Sequence, residues 1–210
     1  IPATVALLWG NQICEDEFEV SRNRQDLISH ARNLLNSIEE NFNVLNLSEK
    51  QIVTEYVKQA RSEISDSDRT NFDESFEHAY YAAWFTWKSQ FHLRFFELNH
   101  CLLNIEQTLS QHSDSCYVPD YGSYQKYISA NHSYFSILNN PNGLLMKEQI
   151  FMDDANLSLL NDKVQSAWIH QDSITNSLYQ CEEALRIINN TFHFQKPYCV
   201  GRDVSFKLVY

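Results

Sequence analysis

Residues 70–109 read TNFDESFEHAYYAAWFTWKSQFHLRFFELNHCLLNIEQTL. Apolar side chains recur at Phe72, Phe76, Tyr80, Ala83, Trp87, Phe91, Phe95, Leu98, Leu102, Ile105 and Leu109, in steps of three and four that an α-helix brings to one face. Neither glycine nor proline interrupts the run, and Thr70 with Asp73 has the spacing of a helix start. A continuous helix here would be about 60 Å long at ~1.5 Å per residue. An all-α fold built around this segment is the expectation.

The flanks agree. From 16 to 43, Leu27, Ile28, Ala31, Leu34, Leu35, Ile38 and Phe42 keep helical spacing and Leu45 extends it. Ser48-Glu49-Lys50-Gln51 then predicts a capping box, with Ser48 as the cap. Ile52, Val53, Tyr56, Val57, Ala60 and Ile64 form the face of a second helix, ended by the polar run Ser65 to Asp68. Val118-Pro119-Asp120-Tyr121-Gly122 is a strong break. Beyond it Ser123 can cap a fourth helix carrying Tyr124, Tyr127, Ile128, Phe135 and Leu138, which stops at 139–143.

A short helix is expected over 144–152. The last long helix carries Leu157, Leu160, Val164, Ala167, Gln171, Ile174, Leu178, Cys181, Leu185 and Ile188 in a heptad seam. That seam packs either against the long third helix or against a second copy of the chain. After Pro197, Val204, Phe206, Leu208 and Tyr210 alternate like a short strand, for which Thr4 to Trp9 is a pairing candidate. The expected whole is a disulfide-bonded bundle of about five to six helices, with long third and last helices and a terminal strand pair. It forms a single domain over 1–210, with two lobes dividing near 113–122.

Composition excludes several function classes. Sixteen basic residues against 27 acidic ones give a formal charge of −11, and no basic run is present to neutralise phosphates or anionic lipid, so nucleic acid is not an expected partner. Only four glycines occur in 210 residues. Phosphate-cradling loops and nucleophile elbows need glycine where the backbone turns sharply or approaches a ligand. No apolar run reaches the ~18 residues of a membrane span.

The compartment is read from cysteines and sequons. Cys14, Cys101, Cys116, Cys181 and Cys199 match no zinc spacing, so all five are disulfide candidates, one of them left over. Cys181 is either a buried thiol or half of an interhelical bridge. A Cys181–Cys199 pairing is feasible, and Cys14 could reach Cys101 or Cys116. Asn46, Asn156 and Asn189 begin N-x-S/T triplets and are glycosylation candidates. Asn131 begins a fourth, but on the apolar face of its helix, where modification is not expected. With Ile1 in place of an initiator Met, a cleaved signal peptide and export are the expectation.

Eight of the 17 residues from Tyr80 to Phe96 are aromatic, and they cover more than one helix face. Such a helix is either central in a bundle or lines a binding site. Tyr81, Trp84, Phe85, Trp87, Phe91 and Phe95 are therefore the candidate ligand- or partner-binding residues. Glu97 and His100 have the spacing of a di-iron half-motif, but a single copy cannot build that site; an ion pair or hydrogen bond is expected there. Eight scattered histidines show no zincin arrangement, so no metal, cofactor or catalytic residue is expected.

Five cysteines spread through an acidic, helix-rich chain, together with the aromatic segment Tyr80 to Phe96, resemble the secreted helical salivary proteins of blood-feeding arthropods such as mosquitoes. The resemblance implies a binder of host or feeding-related molecules. Two functions follow as expectations. The first is a secreted, non-enzymatic protein that engages an extracellular protein partner. The second is a carrier of a small apolar ligand held between helices near Trp84, Trp87 and Phe91.

Overall fold

Periodicity in steps of three and four becomes helix throughout the computed structural model, which describes residues 24–70, 72–111, 121–139 and 157–194. Helix α1 covers 24–40, a 3-10 turn covers Phe42–Val44, and α2 covers Leu47–Ser67. Helix α3 runs over Phe72–Gln111, α4 over Tyr121–Leu138 and α5 over Leu157–Phe194. No strand occurs among the described residues. The expected terminal strand pair, the short helix over 144–152, Cys14, Cys116, Cys199 and Asn156 all lie outside them.

The chain clusters into two compact units, Ile1–Leu93 with Met146–Gln171 and Arg94–Leu145 with Asp172–Tyr210. The boundary expected near 113–122 falls largely on residues that are not described.

In the first unit α1 buries Ile28, Ala31, Leu35 and Ile38, one stripe in steps of three and four. Helix α2 lies antiparallel to it: Arg32 pairs with Asp68 and Arg61 with Glu39, each at 2.7 Å. Both pairs are exposed, so each adds less than about 1 kcal/mol and serves mainly to set register.

Two details of α2 differ from the sequence expectation. Its N-cap is Asn46, whose side chain accepts from Glu49 N at 3.0 Å while Asn46 N donates to Glu49 Oε2 at 3.0 Å. The capping box therefore starts two residues before Ser48, because asparagine caps as well as serine and Glu49 is then at the third helical position. The buried face is Glu49, Val53, Val57, Ala60, Glu63, Ile64 and Ser67. Ile52, expected on that face, is exposed.

A serine latch closes the turn from α2 into α3. Ser67 Oγ donates to Ser75 O at 2.7 Å, Ser75 Oγ donates back to Ser67 O, and the Arg24 guanidinium from α1 donates to Ser75 Oγ. Beyond it Tyr81, Ala82, Ala83, Trp84, Thr86, Lys88, Ser89, Phe91, His92 and Leu93 are all buried. These positions encircle the helix, so this part of α3 is central in its unit. The buried hydroxyls bond within the helix, Thr86 Oγ1 to Ala82 O and Ser89 Oγ to Thr86 O, each at 2.7 Å, as burial requires.

In the second unit α3 presents Phe95, Leu98, Cys101, Leu102 and Ile105, and α5 presents Ile174, Leu178, Cys181, Ala184 and Ile188, all buried. Cys101 and Cys181 form a disulfide across 80 residues, with Cα atoms 6.2 Å apart. Cys181 is thus the interhelical bridge, and the pairings considered with Cys199, and with Cys14 at Cys101, are corrected. The apolar seam aligned on two long helices sets the two thiols face to face. Closing so long a loop restricts the unfolded chain and stabilises the fold by about 4 kcal/mol.

Helix α4 packs on both neighbours. Tyr127 Oη donates to Glu106 Oε1 of α3 at 3.2 Å, Tyr134 stacks on Phe95 at 4.8 Å, and Lys126 pairs with Glu183 of α5 at 2.7 Å. Its buried residues are Ser123, Tyr127 and Ala130. Ser123 lies inside the helix, not at its cap. Of the apolar face expected for α4 only Tyr127 is buried, and Tyr124 is half-buried. Small Ser123 and Ala130 let the helix approach its neighbours closely, turning the larger apolar side chains outward.

Candidate functional site

The aromatic segment singled out by composition is divided between the two units. Tyr81, Trp84, Phe85, Trp87 and Phe91 belong to the first and Phe95 to the second. Tyr81, Trp84, Phe91 and Phe95 are buried, whereas Phe85 and Trp87 are half-buried. Three of these rings meet another ring. Trp87 meets His30 of α1 at 5.3 Å, Phe91 meets His92 edge-on at 6.4 Å, and Phe95 meets Tyr134.

Within that packing lies a polar cluster that composition did not reveal. The Lys88 ammonium sits 5.2 Å from the Tyr56 ring and 5.7 Å from the Trp84 ring, so two aromatic faces solvate a buried cation. One turn on, His92 Nδ1 donates to Lys88 O at 2.8 Å and its ring lies 4.9 Å from Tyr56. Burial pushes the His92 pKa down to about 4. That value already includes the partial opposition of the backbone hydrogen bond and a smaller lowering by the Lys88 charge. His92 is therefore a neutral core imidazole at neutral pH. The four-residue spacing of Lys88 and His92 amid aromatics was the available signal.

A second cluster joins α2 to α3. His78 Nδ1 lies 2.6 Å from Glu63 Oε2. Beside it, burial raises the Tyr81 pKa, with the Glu77 and Glu63 carboxylates adding to the effect and Glu77 accepting its hydroxyl. A carboxylate-oriented histidine is the geometry of a general base, and Ser67 and Ser75 lie on the same two helices. Their hydroxyls are, however, buried and committed to backbone carbonyls. The group clamps α2 to α3. No group of three metal-ligating side chains converges among the described residues, and where a surface ion pair or hydrogen bond was expected Glu97 makes a part-buried ion pair with Arg94 at 2.7 Å.

An open depression of about 400 Å³ is lined by Arg32, Asn36, Arg61, Ile64, Ser65 and Asp68. Both guanidiniums already face carboxylates of this chain, so an incoming anion would have to displace Asp68 and Glu39.

The surface of α4 is different in kind. Tyr121, Ile128, Phe135 and Leu138 are 76%, 40%, 45% and 48% exposed. At 100° per residue they fall within one arc, together with Tyr124 and Asn131. No Asp or Glu occurs anywhere in Tyr121–Leu138, although the chain as a whole carries −11. Ile128, Phe135 and Leu138 were expected on the apolar face of their helix and Tyr121 in the break before it; rotation about the helix axis makes all four a surface. No protein-family model, curated protein or solved structure matches the chain.

Proposed function

We propose that the protein is a secreted, non-enzymatic binding protein that engages an extracellular protein partner through the outward face of α4. The exposed, carboxylate-free row Tyr121, Ile128, Phe135 and Leu138 carries this reading. Aromatic and aliphatic side chains without charge are what the buried centre of a protein interface is made of. They contribute nothing to a surface facing water. The Cys101–Cys181 bridge suits an oxidising, extracellular setting. In this proposal the partner is a host or feeding-related protein, as the resemblance to salivary proteins of blood-feeding arthropods implies. A carrier of an apolar ligand is less well supported, because Trp84 and Phe91 are spent on packing against Lys88 and His92.

The test compares capture of extracellular proteins by the native, disulfide-intact chain with capture by an Ile128→Asp/Phe135→Asp variant. A partner held at micromolar concentration by the native chain and lost by the variant supports the reading. Equal capture by both moves the interface elsewhere, and no saturable partner at that concentration overturns the function.

A further inference from the structure

Asn46 stands just outside α2 with extended backbone angles, φ −72° and ψ 173°, and is exposed. Its Oδ1 accepts two hydrogen bonds, from Glu49 N at 3.0 Å and from Ser48 Oγ at 2.8 Å. The carboxamide is thereby held by its oxygen, while the nitrogen, Nδ2, takes no part in the cap. Asn46-Leu47-Ser48 is also an N-x-S triplet, and the serine hydroxyl already touches the asparagine carboxamide.

The other described triplets lack this geometry. Asn131 is half-buried inside α4, and Asn189 lies inside α5. Residues two apart on a helix point about 200° away from each other, so Asn131 and the Ser133 hydroxyl diverge in α4. The arrangement at Asn46 is local to four residues, so it can form before tertiary packing does.

We propose that Asn46 carries an N-linked glycan, a modification that this helix cap accommodates without being broken. The inference rests on the secretory part of the proposed function. In the transfer, Nδ2 attacks the anomeric carbon of a lipid-linked oligosaccharide. The N–C bond forms as the bond to the lipid diphosphate breaks, the diphosphate leaves with its electron pair, and the amide gives up one proton to a base of the transferase. Oδ1 remains a carbonyl oxygen, so both of its hydrogen bonds survive.

The experiment expresses the full chain behind a cleavable signal peptide in insect cells and maps glycosylated peptides after amidase release in heavy-oxygen water. Asn46 is expected to be the principal occupied site and Asn131 to be bare. Ser48→Ala should remove one glycan yet leave the cap acceptor in place, so the thermal transition stays close to that of the amidase-treated protein. Asn46→Ala should lose both glycan and cap. Amidase release itself converts Asn46 to aspartate, which also caps, so release should not lower the transition. An exported, folded chain with bare Asn46, or with Asn131 as the main site, overturns the inference and leaves the binding function standing. Retention of the naturally expressed protein inside its own cells would instead overturn the secretory reading.

Discussion

His92 shows how one side chain can couple this fold to pH. Its folded pKa, about 4, lies below the usual 6.5, so the unfolded chain takes up a proton that the folded one refuses. The associated stability is fully present above pH 6.5 and is lost as pH falls from there towards 4, a change of about 3 kcal/mol. Denaturant unfolding of the native chain should show that decline. His92→Gln should flatten it, and an unchanged slope in the variant would assign the decline to other groups. At the start of α2, Asn46→Ala should cost about 1 kcal/mol by removing the acceptor for Glu49 N, whereas Asn46→Asp should cost nothing. Comparing the two melting curves separates loss of the cap from loss of the amide.

At the scale of the element, α4 makes the strongest demand on register. Because Ala130 is buried between helices and Ile128 faces out, the two positions should respond oppositely to substitution. Ala130→Leu is expected to destabilise by about 1–3 kcal/mol through overpacking. Ile128→Asp should stay within about 0.5 kcal/mol of the native chain. Chemical denaturation of the two variants decides it, and the reverse order would mean that α4 is rotated. The α3–α5 pair gives a larger expectation: Cys101→Ser/Cys181→Ser should lower unfolding free energy by about 4 kcal/mol, since 80 residues of loop are released. Sequence patterning located both long helices, because each buries residues over many turns and the period repeats. It misjudged α4, whose 18 residues carry apolar side chains around most of their circumference. Hydrophobicity alone then selects no face, and the small Ser123 and Ala130 decide by how closely they let the backbone approach.

For the whole molecule, net charge and the bare face of α4 are complementary features. A chain at −11 repels other acidic surfaces, so a helix face without carboxylates is where contact with a protein costs least in electrostatic repulsion. Binding through that face should vary by less than about threefold between roughly 0.1 and 1 M salt, whereas a charge-steered complex would weaken steeply. Affinity measured by calorimetry across that range tests it.

The amino-acid sequence by itself determined that the described residues are helical and where the long helices run. Those conclusions depend on local spacing and composition, which need no knowledge of neighbours. Only the tertiary structure decided that Cys181 joins Cys101, that Lys88 and His92 share an aromatic enclosure, and that Tyr121, Ile128, Phe135 and Leu138 face water. Each depends on which elements come together and at what rotation, and the helical period leaves that rotation open wherever apolar residues exceed the face that can be buried.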